Sequence, residues 1–502
     1  MASRDISKAA WLKWAALACL VVPMFASYYF DDMFSSISYL FEDASLTMLG
    51  WDAAGYGLYA SGYSVLCVFG GLVIGGILLD KWGVRVSGSL FVGMMVLGAG
   101  IVTASLLHGG EGSLTAAYVG VMLFGLGSEI AGTAVTRSIA KWFRGGPMAL
   151  AMGLQLAIAR LGTAFALVIS PRLVQEVSGH VYTLSETARP ALLGMGLMAL
   201  GLILWAVFVA LDSRKEKGAE REVSPSGAFA VIRSRSDAEE GDTSLSGTEE
   251  GDTSLSGTEK GDTSLSGESR ETEDVPSKDE FRMRDVVGVL RNKNFWILGL
   301  LCVLFYSSII AFKKFAGAIL IPRFDIPASA AGWMVSMLPF STVIFAPLFG
   351  VLVDKAGHGT RWMVTGAILA LVAHLLLAFA PEGVPFWGYL AMVLLGFGYS
   401  LVPAALWPSV PKIVPDKVLG TTYALIYWVQ NLGLLSFKWI AGVILGRHTA
   451  APGPDAAASA LSGPVAVEMM FVALCVAAVA TALVFRRVSR RNPALGLDAP
   501  SR

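Results

Sequence analysis

The chain has 502 residues, with 38 basic and 38 acidic side chains and a formal net charge of zero. It is 55% hydrophobic and only 15% charged, where a soluble protein carries about a quarter charged residues. That composition excludes an ordinary soluble fold, and the balanced charge points to no nucleic-acid partner.

Twelve mostly apolar runs follow one another, each long enough for a helix to cross about 30 Å of hydrocarbon. They lie near 11–40, 56–79, 86–107, 114–140, 148–173, 187–211, 295–321, 330–353, 362–380, 385–410, 421–445 and 465–485. They are continuous, unlike the short alternating strands of a membrane barrel. The expected class is an all-α membrane protein with twelve transmembrane helices and the lipid bilayer as its solvent. The first run far exceeds a signal-peptide core and no small-residue cleavage pattern follows it, so it reads as the first helix of the mature chain.

In the first run, Asp31 and Asp32 sit in the outer half. They are candidates to shape the mouth of a cavity, with Asp32 a candidate substrate contact; the plainer reading is that they face water. The fourth and fifth runs each carry a charge near the middle, Glu129 and Arg160. Exposed to lipid, either would cost about 3 kcal/mol or more, so both are expected to face a protein interior or a wet cavity. One acid and one base there could hold a small zwitterion by its two ends. The alternative is a structural ion pair pinning the two helices together.

After the sixth run the composition shifts. Residues 212–280 are rich in Ser, Gly, Glu, Asp and Thr, with a tandem repeat of period ten beginning at Gly241, Gly251 and Gly261. Three such units cannot bury a core, so a disordered linker is expected. Residues 281–293 mix valines with Arg282, Arg284, Arg291 and Lys293, which suits a short amphipathic helix on the membrane face.

In the second half, Lys313 and Lys314 sit in the outer half of the seventh run; being consecutive, at most one is expected to face a cavity, the other snorkelling. His374 reads as a packed histidine. Trp407 precedes Pro408, where a kink is expected, and is a candidate cavity wall. Gln430 and Asn431 are candidates to hydrogen-bond substrate or a neighbouring helix, and Lys438 to meet substrate or pair with an acid across the halves. The cysteines Cys19, Cys67, Cys302 and Cys475 all fall in apolar runs and read as packing residues.

Basic residues gather on alternate loops, at Lys81 and Arg85, Lys141 and Arg144, Arg214 to Lys217, Lys355 and Arg361, Lys412 and Lys417, and at both termini. The opposite loops hold Glu42, Asp43, Asp52, Glu111 and Glu382, with Arg172, Arg189, Arg323 and Arg447 as exceptions. The excess of Lys and Arg places both termini in the cytoplasm.

The loop after the second run reads Gly76-Ile-Leu-Leu-Asp80-Lys81-Trp-Gly83-Val-Arg85, and that after the eighth Gly350-Val-Leu-Val-Asp354-Lys355-Ala-Gly357-His-Gly-Thr-Arg361. Two copies at matching places resemble the loop motif of the major facilitator superfamily. The resemblance implies two six-helix bundles, 1–211 and 281–486, joined by the linker 212–280 and followed by a cytoplasmic tail, 487–502. It also implies a central cavity opened alternately to each side, with Asp80, Arg85, Asp354 and Arg361 at the cytoplasmic gate.

Further motifs are Gly127-Ser128-Glu129, Lys141-Trp142-Phe143, the run from Gly153 through Ala159-Arg160 to Gly162, Ala405-Leu406-Trp407-Pro408, Gln430-Asn431 and Ser27-Tyr28-Tyr29-Phe30-Asp31-Asp32-Met33. They resemble the animal lysosomal dipeptide uniporters. In that family an acid in the fourth helix and an arginine in the fifth engage the two termini of a dipeptide, and Glu129 and Arg160 match them. The resemblance implies a small-molecule substrate, a dipeptide above all, and a single-pass accessory subunit if the membrane is lysosomal. The N-terminus shows no acidic dileucine signal, and the membrane is either a plasma (inner) membrane or a lysosome-like one.

No phosphate loop, zinc spacing or nucleophile elbow appears. No catalytic residue, metal or cofactor is therefore expected, nor an enzymatic activity. The acidic first-helix cluster of proton-coupled peptide transporters and the Gly-Pro fifth-helix motif of drug antiporters are also missing, so uniport is the simpler expectation. Two rival readings are an organic-anion carrier of the monocarboxylate kind, using Arg160 with Glu129 as a proton site, and a non-transporting receptor or scaffold that signals through the linker.

Overall fold

The computed structural model describes residues 2–143, 147–175, 177, 179–222, 288–414, 419–449 and 456–499. The linker repeat, Arg144 and Lys417 lie outside the described residues, as does most of the segment expected to be an amphipathic helix; 288–291 form a helical turn.

Among the described residues twelve helices are long and apolar enough to cross a membrane. In chain order the spans are Trp11–Asp32, Ala53–Leu79, Lys81–His108, Ser113–Trp142, Leu150–Val174, Leu184–Lys215, Lys293–Lys314, Ala328–Ala356, Gly359–Phe379, Pro385–Lys412, Thr422–His448 and Ser462–Arg491. Met1–Val209 and Phe281–Arg502 together form one compact unit. Ala210–Glu280 forms another, described only over the last turns of the helix Leu184–Glu222.

Several span ends differ from the hydropathy pattern for identifiable reasons. The first span stops at Asp32 and does not run on to residue 40. Phe34, Ile37, Leu40 and Phe41 are apolar because they are buried in and around a 3₁₀ turn, Ser38–Phe41. Phe41 stacks on Tyr56 at 4.9 Å, and Phe34 meets Tyr59 edge-on. An apolar run reads the same whether it crosses a membrane or folds beneath one. The seventh run breaks at Phe315 into Lys293–Lys314 and a short helix, Ala316–Phe324. That helix docks on the turn after the first span, through Gly317 N–H to the Ser35 carbonyl (3.1 Å) and Ala318 N–H to Ser38 Oγ (3.0 Å).

Proline and glycine set the internal breaks. The tenth span is α-helical to Leu406 and tightens to 3₁₀ over Trp407–Lys412, where Pro408 and Pro411 withhold their N–H groups. The second span carries a π-turn, Cys67–Gly71, with Gly70 at φ +95°. The Val68 carbonyl there accepts from Trp428 Nε1 of the eleventh span at 2.7 Å. The twin loops turn at equivalent glycines, Gly83 (φ +73°) and Gly357 (φ +65°), a region closed to most side chains.

The halves meet at the end opposite the chain termini. A Cβ on Gly57 of the second span would lie 2.7 Å from Gly442 Cα of the eleventh. Gly332 of the eighth span presses likewise on the Leu167 carbonyl of the fifth. Small residues allow this backbone approach where helices pack without a hydrophobic drive.

Two devices lie outside the spans. Glu42 follows the 3₁₀ turn; it is half-buried, but its Oε1 is shut from solvent without a hydrogen-bond partner. Burial pushes its carboxyl up to about 8. At the other end the twelfth helix runs through Arg491, and the tail then folds back. Asp498 accepts from Thr360 N (2.9 Å), Thr360 Oγ1 (2.8 Å) and Ser489 Oγ (2.7 Å), capping the helix that follows the second twin loop. Burial would raise the Asp498 carboxyl; these bonds outweigh it and hold it below the usual carboxylate range.

Candidate functional site

Glu129 sits midway along the fourth span and is half-buried. Its Oε1 accepts from Tyr63 Oη of the second span at 3.0 Å. The same hydroxyl lies 3.2 Å from Ser128 Oγ, which in turn shares a 2.5 Å hydrogen bond with Ser27 of the first span. The carboxylate is thus oriented by the second span, and the serine beside it is tied to the first.

Arg160 is half-buried midway along the fifth span. Its guanidinium carbon lies 5.6 Å from the ring centroid of Tyr28 (first span) and 5.5 Å from that of Tyr399 (tenth span). No carboxylate lies within salt-bridge reach of it among the described residues; the ion pair with Glu129 that would pin the fourth and fifth helices is not formed. Aromatic faces attract a cation without neutralising it, so Arg160 is held in place by rings from two other spans.

Lys438 is 2% exposed. Among the described residues it makes no ion pair with an acid across the halves; its Nζ lies 5.3 Å from the ring centroid of Tyr63. Tyr63 therefore touches the acid with its hydroxyl and the base with its face. Trp407 belongs to an aromatic group with Tyr306, Tyr423 and Tyr427, stacking on Tyr427 at 5.1 Å and donating from Nε1 to Tyr306 Oη at 3.1 Å. Gln430 faces the seventh span, its Oε1 accepting from Cys302 Sγ at 3.4 Å. Asn431 donates to the Tyr427 carbonyl at 3.1 Å, and its Oδ1 is buried without a partner.

Asp32 is 1% exposed and enclosed in an ion-pair cluster. Lys313 Nζ lies 2.6 Å and Thr163 Oγ1 2.8 Å from its Oδ2; Lys314 Nζ lies 3.1 Å from its Oδ1. Lys314 also pairs with Asp31 Oδ1 at 2.9 Å. Both lysines are buried, so neither snorkels. The helix ends at Lys314, and its last two side chains close on one acid from either side.

At the opposite end, Arg85 is half-buried, while Asp354 and Arg361 are exposed. Asp80 lies in the helix, its side chain outside what is described. His374 is buried as expected, but with a partner the sequence did not flag: its Nδ1 lies 2.8 Å from Glu468 Oε2 of the twelfth span. All four cysteines are free and buried.

Tyr28, Tyr63, Tyr399 and Thr163 escaped the sequence reading. Their signal was positional: Tyr28 is one turn before Asp32, and Thr163 three residues after Arg160, each on the face of a residue already singled out.

The comparisons with known proteins agree with this architecture. The Major Facilitator Superfamily profile matches residues 17–437 and 315–498. The lysosomal dipeptide transporter MFSD1 of Danio rerio is 27% identical over 488 residues, covering 95% of this chain and 87% of that protein. The Homo sapiens protein of the same name is 27% identical over 399 residues, 78% of this chain and 70% of its own. Among solved structures, nucleoside transporter NupG superposes with a TM-score of 0.60 at 12% identity, covering 95% of this chain and 98% of that one. Peptide transporter POT in complex with sulfate gives 0.61 at 15% identity, covering 96% and 95%. At these identities the structures speak for the fold.

Proposed function

The chain belongs to the major facilitator superfamily and is a transporter, and we propose that its cargo is a small zwitterion, a dipeptide above all, carried by uniport. The observation that carries this reading is the separation of Glu129 and Arg160. They sit mid-membrane on consecutive spans, each oriented by tyrosines, and they do not neutralise each other. A zwitterion supplies the missing partners. Its ammonium meets Glu129, and its carboxylate meets the planar fork of Arg160. Lys438, Asn431 and Trp407 complete the wall of the site.

Membership supports alternating access, and the close approach of the halves at one end is consistent with a state closed on that side. The basic loops support cytoplasmic termini. The relatives named as lysosomal dipeptide transporters support both the cargo and a lysosome-like membrane.

The test is flux in proteoliposomes with a panel of free, N-acetylated and C-amidated dipeptides, beside simple monocarboxylates. Uptake of free dipeptides, reduced by capping either end, is expected. Monocarboxylate uptake without dipeptide uptake would replace this reading with an organic-anion carrier, and no flux of either would leave the receptor reading.

A further inference from the structure

Asp32 has more counter-charge than it needs. Lys313 and Lys314 both reach it from the other half of the molecule, and Thr163 and Ser35 add hydroxyl donors at 2.8 and 3.4 Å. Beyond Asp32 the two lysines part. Lys314 lines a cavity with Asp31, Tyr56 and Tyr59. Lys313 lines a different cavity, shared with Arg160, Thr163 and Tyr399. Lys313 is therefore both half of a bond between the halves and part of the wall around Arg160.

We infer that Lys313 is a second cationic contact for the substrate carboxylate, and that Asp32 stands in for that carboxylate in the empty carrier. The inference rests on the dipeptide reading. Its physical basis is which charge can leave without stranding another. Removing one partner of a buried ion pair is costly because the survivor is uncompensated. If Lys313 turns away, Asp32 keeps Lys314, Thr163 and Ser35, and Lys314 keeps Asp31. Lys313 needs a new anion, and the cavity it lines already holds the cation suited to a carboxylate. Arg160 grips one edge of that carboxylate, and the lone pairs left over suit a compact ammonium.

The exchange of partners has a kinetic consequence. A loaded carrier has Lys313 on the substrate, and an empty one has it on Asp32. Without Asp32 the empty carrier must reorient with Lys313 unpaired, whereas the loaded one is unaffected. Net flux depends on the empty return, and exchange of substrate for substrate does not.

The experiment uses the full chain in proteoliposomes, with Lys313→Met, Lys313→Arg and Asp32→Asn. Lys313→Met is expected to weaken free dipeptides by on the order of tenfold, with C-amidated dipeptides little changed. Lys313→Arg is expected to keep most of that discrimination and to report on the charge if Lys313→Met does not fold. Asp32→Asn is expected to slow net flux while exchange persists, raising the ratio of exchange to net flux several-fold. Equal losses for free and amidated ligands in the Lys313 variants, or equal slowing of exchange and net flux in Asp32→Asn, would overturn the inference while leaving the dipeptide reading intact. Wild-type protein that moves no dipeptide overturns both.

Discussion

The guanidinium carbon of Arg160, from the first half, lies 5.5 Å from the ring centroid of Tyr399, from the second. Tyr28 flanks it at 5.6 Å. Ring faces contribute about 0.5–2 kcal/mol to holding a cation, enough to fix its place and too little to satisfy it. Arg160→Lys is expected to weaken free dipeptides by on the order of 10–150-fold, the worth of a charge-assisted hydrogen bond. Tyr399→Leu, which removes one ring, should cost only a few-fold. Equilibrium binding of free and C-amidated dipeptides reads both, and the Arg160 loss should largely vanish with the amide.

The mirror experiment falls on the other end of the ligand. Glu129→Gln should weaken free dipeptides by about 1.5–3 kcal/mol, while N-acetylated dipeptides change little. Tyr63→Phe keeps the carboxylate but removes the 3.0 Å hydrogen bond that orients it; a loss of about 1 kcal/mol is expected. A large drop in melting temperature with equal loss for every ligand would make Glu129 a structural residue instead.

The twin turns supply a prediction about rate. Asp80→Asn and Asp354→Asn should slow exchange more than they weaken binding, since both residues lie at the loop ends of their spans, far from Glu129 and Arg160. Gly83→Ala or Gly357→Ala, which places a Cβ at positive φ, should behave likewise and lower the melting temperature. Unchanged exchange in both aspartate variants would remove the loops from the gate.

Glu42 makes stability depend on pH. Its folded carboxyl is raised to about 8, against an ordinary value of 4.5. The folded state therefore holds a proton that the unfolded state releases. The stability this proton contributes is full below about 4.5 and is lost as pH rises from about 4.5 to about 8. Melting temperature should fall across that window in the wild type. Glu42→Gln should flatten the slope and melt a few degrees higher at pH 8.

The number of spans was legible because each apolar run must be long enough to cross a membrane and each loop must turn, which forces repetition. Glu129 and Arg160 were legible because charge in such runs is rare. What the pattern could not separate was two uses of one residue type. Phe34 and Leu40 pack beneath the first span but read as part of it. Asp32 looked like a substrate contact, and the structure surrounds it with two lysines from a helix 281 residues away. Glu468 lay unnoticed in the last span because its meaning depends on His374, 94 positions earlier. Partners brought together by folding leave no local trace.

The glycine seam also bears on what the resting protein must not do. Gly57 meets Gly442 backbone to backbone, and Gly332 meets the Leu167 carbonyl in the same way. Contacts made by backbone cannot swing aside to admit a file of water as a long side chain could. A membrane that keeps an ion gradient is discharged by any standing pore, however narrow, so an idle carrier must also be an insulator. Gly442→Leu would therefore be expected to show itself first as a leak of ions or protons from sealed vesicles, before any change in what the protein carries.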